Sequence, residues 1–189
     1  MKRSKLYRIL RPLIVIFVKV FLRPKFIGLK NIPKSNNFIL AGNHTSILDP
    51  LLLITSTKKS IHFLAKDELW KGPKKIIFNN LGLIPVNRRE KDPEAISLAE
   101  DYLLHNRVIG IFPEGTTEKG RGLLPFKFGA VKMAKETNCK IVPFAIKGKY
   151  RLFSKDLTIT FGKPMTITNE LLVKANNDLT QTVAKLLED

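Results

Sequence analysis

Cysteine is nearly absent: Cys139 is the single one in 189 residues, so neither an intrachain disulfide nor a thiolate metal cluster can form. The three histidines, at positions 44, 62 and 105, are too dispersed to suggest a zinc site, and no metal is expected. No Gly-x-Ser-x-Gly elbow is present, which argues against a serine hydrolase. Repeats, low-complexity stretches and nucleic-acid-binding motifs are also missing. Acidic residues are scarce. Only 16 Asp and Glu stand against 33 Lys and Arg, a formal net charge of +17. Such an excess implies an anionic partner, whether nucleic acid, a membrane surface or a phosphorylated substrate. With 44% hydrophobic residues the chain is long enough and apolar enough for one domain with a full core. The lack of cysteine pairs fits a reduced, cytosol-facing compartment.

The charge is unevenly spread. Residues 1–30 contain nine basic residues and no acid. Positions 6–22 are mostly apolar, interrupted by Arg8, Arg11 and Lys19. On a helix, Lys5, Arg8, Arg11 and Lys19 fall within an arc of roughly 120°, an amphipathic pattern. If Pro12 opens the main helix and Pro24 stops it, roughly 18 Å of helix remains, too short for a hydrocarbon core of roughly 30 Å. A helix running through a kink at Pro12 would reach that length but would carry basic residues into the apolar zone at a few kcal/mol each. Residues 1–28 are therefore expected to lie in the interface as a monotopic anchor on an anionic membrane surface. A core helix is the other reading. A signal peptide is disfavoured because Arg23-Pro24-Lys25, not a small-residue cleavage site, follows the apolar run.

Beyond this segment, short apolar runs alternate with helical patterns. Strands are expected at 38–41, 61–65, 83–86, 108–112, 141–146 and 157–161, and helices at 50–57, 68–80, 93–105, 128–137 and 169–187. This predicts an α/β fold, with residues 29–189 forming a mixed, mostly parallel sheet covered by helices. In such folds the site is built by loops at the carboxyl ends of parallel strands.

His44 and Asp49 stand five apart in Asn43-His44-Thr45-Ser46-Ile47-Leu48-Asp49-Pro50, just after the expected strand at 38–41. A histidine oriented by a carboxylate can take a proton from a hydroxyl, so the pair suggests a general base. The bland alternative is a loop histidine with Asp49 serving as the N-cap of the next helix and Pro50 as its first residue. His62 and Asp67 repeat the spacing, but His62 falls inside a strand and Asp67 is expected to cap a helix, so that pair reads as structural. Arg88, just after the expected strand at 83–86, can grip a phosphate bidentately, or can be plain surface charge. Phe112-Pro113-Glu114-Gly115-Thr116 runs a strand into a tight turn; Glu114 either holds the acceptor, braces Arg88, or is an exposed turn acid. Lys127 precedes another helix whose N-terminus favours an anion, unless it is simply a solvated lysine.

Taken together, residues 43–50, 82–88, 112–116 and 141–146 resemble, in order and approximate spacing, the four blocks of the glycerolipid acyltransferases, and most of all the 1-acylglycerol-3-phosphate O-acyltransferases. The resemblance covers residues 30–165, including Ala65-Lys66-Asp67-Glu68-Leu69-Trp70 and 126–130. It implies transfer of a fatty acyl group from a thioester, acyl-CoA or acyl carrier protein, to the 2-hydroxyl of lysophosphatidic acid, yielding phosphatidic acid without cofactor or metal. By the same carry-over His44 is the base, Asp49 orients it, Arg88 binds the acceptor's phosphate, and Glu114, Gly115 and Thr116 position the acceptor. The expected location is the cytoplasmic face of the cell membrane, peripheral or monotopic. One departure concerns Thr117, which stands where the family commonly has arginine; Lys119, Arg121 or Lys127 would have to substitute. That keeps other acceptors in view: glycerol 3-phosphate, another lysophospholipid or a lipid-like amine. A basic nucleic-acid-binding module is a remote alternative, since the most positive segment is greasy rather than interleaved with aromatics.

Overall fold

The computed structural model describes residues 5–71, 74–87, 92–117, 122–168 and 171–188. Arg88, Lys119 and Arg121 lie outside these described residues. The fold is an eight-stranded mixed sheet between two helical layers. In chain order the elements are α1 (Lys5–Phe17), β1 (Lys25–Ile27), β2 (Phe38–Gly42), α2 (Asp49–Ser56), β3 (Ile61–Lys66), α3 (Lys74–Leu81), β4 (Ile84–Val86), α4 (Pro93–Leu104), β5 (Val108–Ile111), α5 (Gly129–Thr137), β6 (Lys140–Lys147), β7 (Thr158–Phe161), β8 (Met165–Thr166) and α6 (Leu172–Glu188). The strand order is β1-β7-β6-β2-β5-β3-β4, with β8 paired to β6. All pairings are parallel except β6 with β7 and β6 with β8.

The period of two along each strand divides the core. Phe38, Leu40, Val142 and Phe144 face α1 and α2, while Ile39, Ala41, Ile109 and Ile141 face α4, α5 and α6. Central β2 is buried throughout and β6 everywhere but its ends, which is why both read as continuous apolar runs. The helices on the second face contribute residues four apart: Ala95, Ala99 and Leu103 from α4, and Ala175, Leu179 and Val183 from α6.

Several expectations are corrected. Of the two readings of the N-terminal helix, the one that runs through Pro12 is observed: α1 starts at Lys5, passes that proline and continues as a π-helical turn, Val18–Leu22, stopped at Arg23. It packs against α2 and α3 and buries Tyr7, Val18 and Leu22, so one side of it is core. The helix expected at 68–80 divides into a 3₁₀ turn, Asp67–Trp70, and α3. Strands β1 and β8, three and two residues long, are too short for a period to show. The N-cap of α2 is Leu48, not Asp49, because the carboxylate of Asp49 turns back to the preceding loop.

Gly42, at the end of β2, allows the closest approach in the sheet. A Cβ there would stand 2.1 Å from the carbonyl oxygen of Phe144 and 2.6 Å from its ring. Both obstacles belong to the buried strand β6, which cannot retreat without opening the core. Gly42→Ala is expected to cost about 1–3 kcal/mol, an overpacking penalty, read as a fall in thermal unfolding midpoint. An unchanged midpoint would contradict this packing.

Candidate active site

Strands β2 and β5 are hydrogen-bonded parallel neighbours, so the loops leaving their carboxyl ends emerge side by side. One carries His44 and the other Glu114. The backbone N–H of His44 donates to Glu114 Oε1 at 2.7 Å, and Leu124 N–H donates to Oε2 at 3.0 Å. Glu114 thus pins the histidine loop to the segment that leads toward α5. About two of the roughly four lone-pair directions of its carboxylate are taken by these bonds.

His44 Nδ1 lies 2.7 Å from Asp49 Oδ2, and its ring stacks on Phe112 with centroids 4.1 Å apart. The imidazole is nearly enclosed, 10% exposed, and Asp49 is fully buried. A carboxylate only accepts, so the imidazole proton sits on Nδ1 and the Nε2 lone pair is left for a substrate proton. The buried charge of Asp49 is well supplied with donors. Thr45 N–H at 2.6 Å, Ser46 N–H at 2.9 Å and the Thr45 hydroxyl at 3.1 Å all donate to it. So does the phenol of Tyr150. Burial first, and then the neighbouring Asp49 charge, push the Tyr150 phenol well above its ordinary range, so it remains a protonated donor.

Phe112, on which the His44 ring stacks, also lines a cleft of about 740 Å³ whose wall includes Leu64, Val86, Ile96 and Ile111, with Asp92, Lys127 and Lys132 as its charged residues among those described; His44 and Asp49 do not themselves line it. Phe112 therefore has one side on the His44 ring and another on the cleft. Gly115 adopts a positive φ of 72°, and the Lys127 side chain folds across it; a Cβ on Gly115 would meet Lys127 Cε and Nζ at 3.3 Å. Among the described residues no group of three or more His, Cys, Asp or Glu is placed to hold a metal ion.

The structure thus brings His44, Asp49, Glu114, Gly115 and Lys127 into one neighbourhood, while Arg88 lies outside the described residues. Thr116 follows Gly115 in the same turn and is half-buried. The repeated spacing at His62 makes no such pair. His62 Nδ1 is 2.8 Å from the carbonyl oxygen of Gly82, and Asp67 accepts from Glu68 N–H. Burial lowers the His62 pKa, as a neutral core imidazole requires. Sequence reasoning missed three contributors. Tyr150 reaches Asp49 from 101 residues away, just beyond β6. Asn43, quoted in the motif without a role, clamps Ile146 by both its carbonyl and its N–H, at 2.8 and 2.7 Å. Lys132 adds a cation to the cleft one helical turn after Phe128, a spacing the sequence does display.

Comparisons with known proteins show the family. The family model described as Acyltransferase matches residues 23–147. The 1-acyl-sn-glycerol-3-phosphate acyltransferase of Borreliella burgdorferi is 36% identical over 138 residues, which cover 71% of this chain and 55% of that protein. The chain thus spans about half the length of that relative. The Bacillus subtilis protein of the same name is 29% identical over 145 residues, covering 72% of this chain and 70% of its own. Among solved structures, the 1-acyl-sn-glycerophosphate (LPA) acyltransferase PlsC from Thermotoga maritima superposes with a TM-score of 0.73 at 25% identity, covering 98% of this chain and 83% of that one. With its histidine and aspartate in contact at the end of β2 and the family's match running through both, this chain belongs to the acyltransferase family.

Proposed function

We propose that this protein transfers a fatty acyl group from an acyl thioester, acyl-CoA or acyl carrier protein, to the 2-hydroxyl of 1-acylglycerol 3-phosphate, giving phosphatidic acid in phospholipid biosynthesis. The observation that carries this is the 2.7 Å contact between His44 and a buried Asp49 beside an apolar cleft. His44 Nε2 removes the proton of the acceptor hydroxyl, the resulting alkoxide attacks the thioester carbonyl, and the imidazolium returns the proton to the departing thiol. Asp49 favours that imidazolium by proximity of opposite charge. No covalent acyl-enzyme is needed. The cleft falls within the roughly 300–1,000 Å³ of small-molecule sites, its apolar wall suits a fatty chain, and Lys127 and Lys132 suit an anionic group at its edge. Arg88 is assigned to the acceptor's phosphate by the family resemblance.

The location proposed with this reaction is the cytoplasmic face of the cell membrane. No helix of the described residues is long and apolar enough to cross a membrane. Instead α1 turns Ile9, Leu13 and Ile16 outward, with Phe17, Val20 and Phe21 continuing the same exposed apolar surface. Such a face enters the acyl boundary while Arg8 and Lys19 meet anionic lipid; Arg11 instead donates to the carbonyl of Thr57 at 2.9 Å.

The test is an acceptor comparison. Purified protein is supplied with labelled acyl-CoA or acyl carrier protein and, in parallel, lysophosphatidic acid, glycerol 3-phosphate and lysophosphatidylcholine. Lysophosphatidic acid is expected to be the fastest acceptor. Faster transfer to one of the other two would replace the acceptor, as the Thr117 departure allows, and no transfer to any would overturn the reading.

A further inference from the structure

The end of α1 and the loop between β6 and β7 enclose a basic pocket of about 550 Å³, remote in sequence from the His44 loop, lined by Lys19, Arg23, Pro24, Lys25, Phe26 and Lys155. All four cations are exposed. Among the described residues none of the four is in an ion pair. Asp156, although next to Lys155 in the chain, does not line the pocket. Cations at a helix C-terminus are ordinarily explained by the helix dipole, but that end carries only about half a charge, against four full positive charges here.

Exposed apolar side chains stand close by in the chain, Phe21 two residues before Arg23 and Phe153 two residues before Lys155. Phe153 and Leu152, 61% and 62% exposed, project from the loop beside Phe21, and the Phe21 ring lies 5.5 Å from Phe153 and 5.6 Å from Phe17. Phe153 N–H donates to the Phe21 carbonyl, which fastens the loop to the helix end. The backbone is also held where side chains resist it. Among the described residues four non-glycine positions have positive φ: Asn106, Asn138 and Arg23 end helices, and Phe153, at 59°, lies in the loop beside Phe21. Neither arginine nor phenylalanine favours that conformation. Its result here is one cation and one aromatic ring presented outward from the same edge.

We infer that the pocket formed by Lys19, Arg23, Lys25 and Lys155 seats the anionic headgroups of bilayer phospholipids, and that Phe153 and Leu152 enter the same bilayer as a second contact beside α1. Full positive charges next to exposed apolar side chains match a surface in which phosphates lie directly above acyl chains; a free phosphate would have no use for Leu152 and Phe153. The inference rests on the bilayer reading above and extends it from residues 1–28 to residues 148–157. The loop it adds is the one that carries Tyr150, the donor to Asp49.

The test measures sedimentation of the full chain with vesicles of phosphatidylcholine and phosphatidylglycerol in equal amounts, and with pure phosphatidylcholine vesicles. Lys25→Gln/Lys155→Gln is compared with Lys135→Gln/Lys185→Gln, which removes the same charge from exposed sites on α5 and α6. Each well-placed cation is expected to change partition about fivefold, so the pocket variant should lose about 25-fold on the anionic vesicles. The control should lose less than about twofold, and Leu152→Ser/Phe153→Ser should weaken binding as well. Equal losses in the pocket and control variants would reduce the effect to net charge and overturn the assignment. Release of the wild-type protein by inorganic phosphate at constant ionic strength would make it a free-phosphate site and also overturn it. Acyl transfer in neutral detergent micelles, followed in parallel, should be unchanged in the pocket variant, so a failure of lipid docking is separable from a failure of the acyltransferase reading.

Discussion

His44→Ala is expected to lower acyl transfer to lysophosphatidic acid at least about a hundredfold, the lower range for removal of a general base. The imidazole is the group whose position is fixed by the largest share of the site: Nδ1 by Asp49, the ring face by Phe112, the backbone N–H by Glu114. An acceptor hydroxyl is a poor nucleophile until it loses its proton, and the imidazole paired with a buried carboxylate is the group suited to take it. The variant should still fold. Asp49 keeps the Thr45 and Ser46 N–H groups, the Thr45 hydroxyl and Tyr150 as donors, and the backbone bond from residue 44 to Glu114 does not involve the ring. Binding to anionic vesicles, which depends on surfaces elsewhere, should be retained. The measurement is turnover with labelled acyl thioester, alongside thermal unfolding to establish folding. Near-normal turnover in a folded variant would remove His44 from the chemistry.

The parts of this site that were legible in sequence are those fixed by short-range pattern. The run at 38–41 had to be a buried strand, although it continues through Gly42, and a histidine just after it had to emerge at the strand's carboxyl end. The spacing of His44 and Asp49 placed an acid within one turn of a helix start. Its partner geometry was less legible. Asp49 is an apt N-cap by residue type, yet its carboxylate faces backward to His44, Thr45 and Ser46, because a buried charge takes the donors that reach it. Glu114 was legible as a motif residue, but its bonds run to two backbone N–H groups, which no side-chain pattern encodes. Tyr150 was illegible for a different reason: its contact with Asp49 depends on how β6 turns toward antiparallel β7, a tertiary fact. Pro12 left the start of the N-terminal helix open for a similar reason. Packing of α1 on α2 and α3 offsets the hydrogen bond that proline removes, and a tertiary gain overrides a local penalty of about 3 kcal/mol.

Asp49→Asn should reduce turnover by roughly 10²–10⁴-fold while leaving most of the fold intact, and the reason lies in how its donors are divided. Oδ2 receives His44 Nδ1 and the N–H groups of Thr45 and Ser46; Oδ1 receives the hydroxyls of Thr45 and Tyr150. An asparagine that keeps its oxygen in the Oδ2 place directs its NH₂ at two hydroxyls, which can rotate to accept. The polar groups are then largely satisfied, but the negative charge that favours the imidazolium is gone. Asp49→Ala removes every acceptor at once and strands its donors in a buried site, so it should lose about 3–5 kcal/mol of stability as well as activity. Tyr150→Phe takes away a single donor and should cost about 1 kcal/mol. Its effect on turnover should be under about tenfold, because Oδ2 keeps all three of its donors. The three variants separate charge from scaffold: the asparagine variant should be slow with a modest change in unfolding midpoint, the alanine variant slow and destabilised, the phenylalanine variant close to wild type in both. Turnover near the wild-type rate in Asp49→Asn would mean that the carboxylate serves only to shape the loop, and His44 would then act without its help.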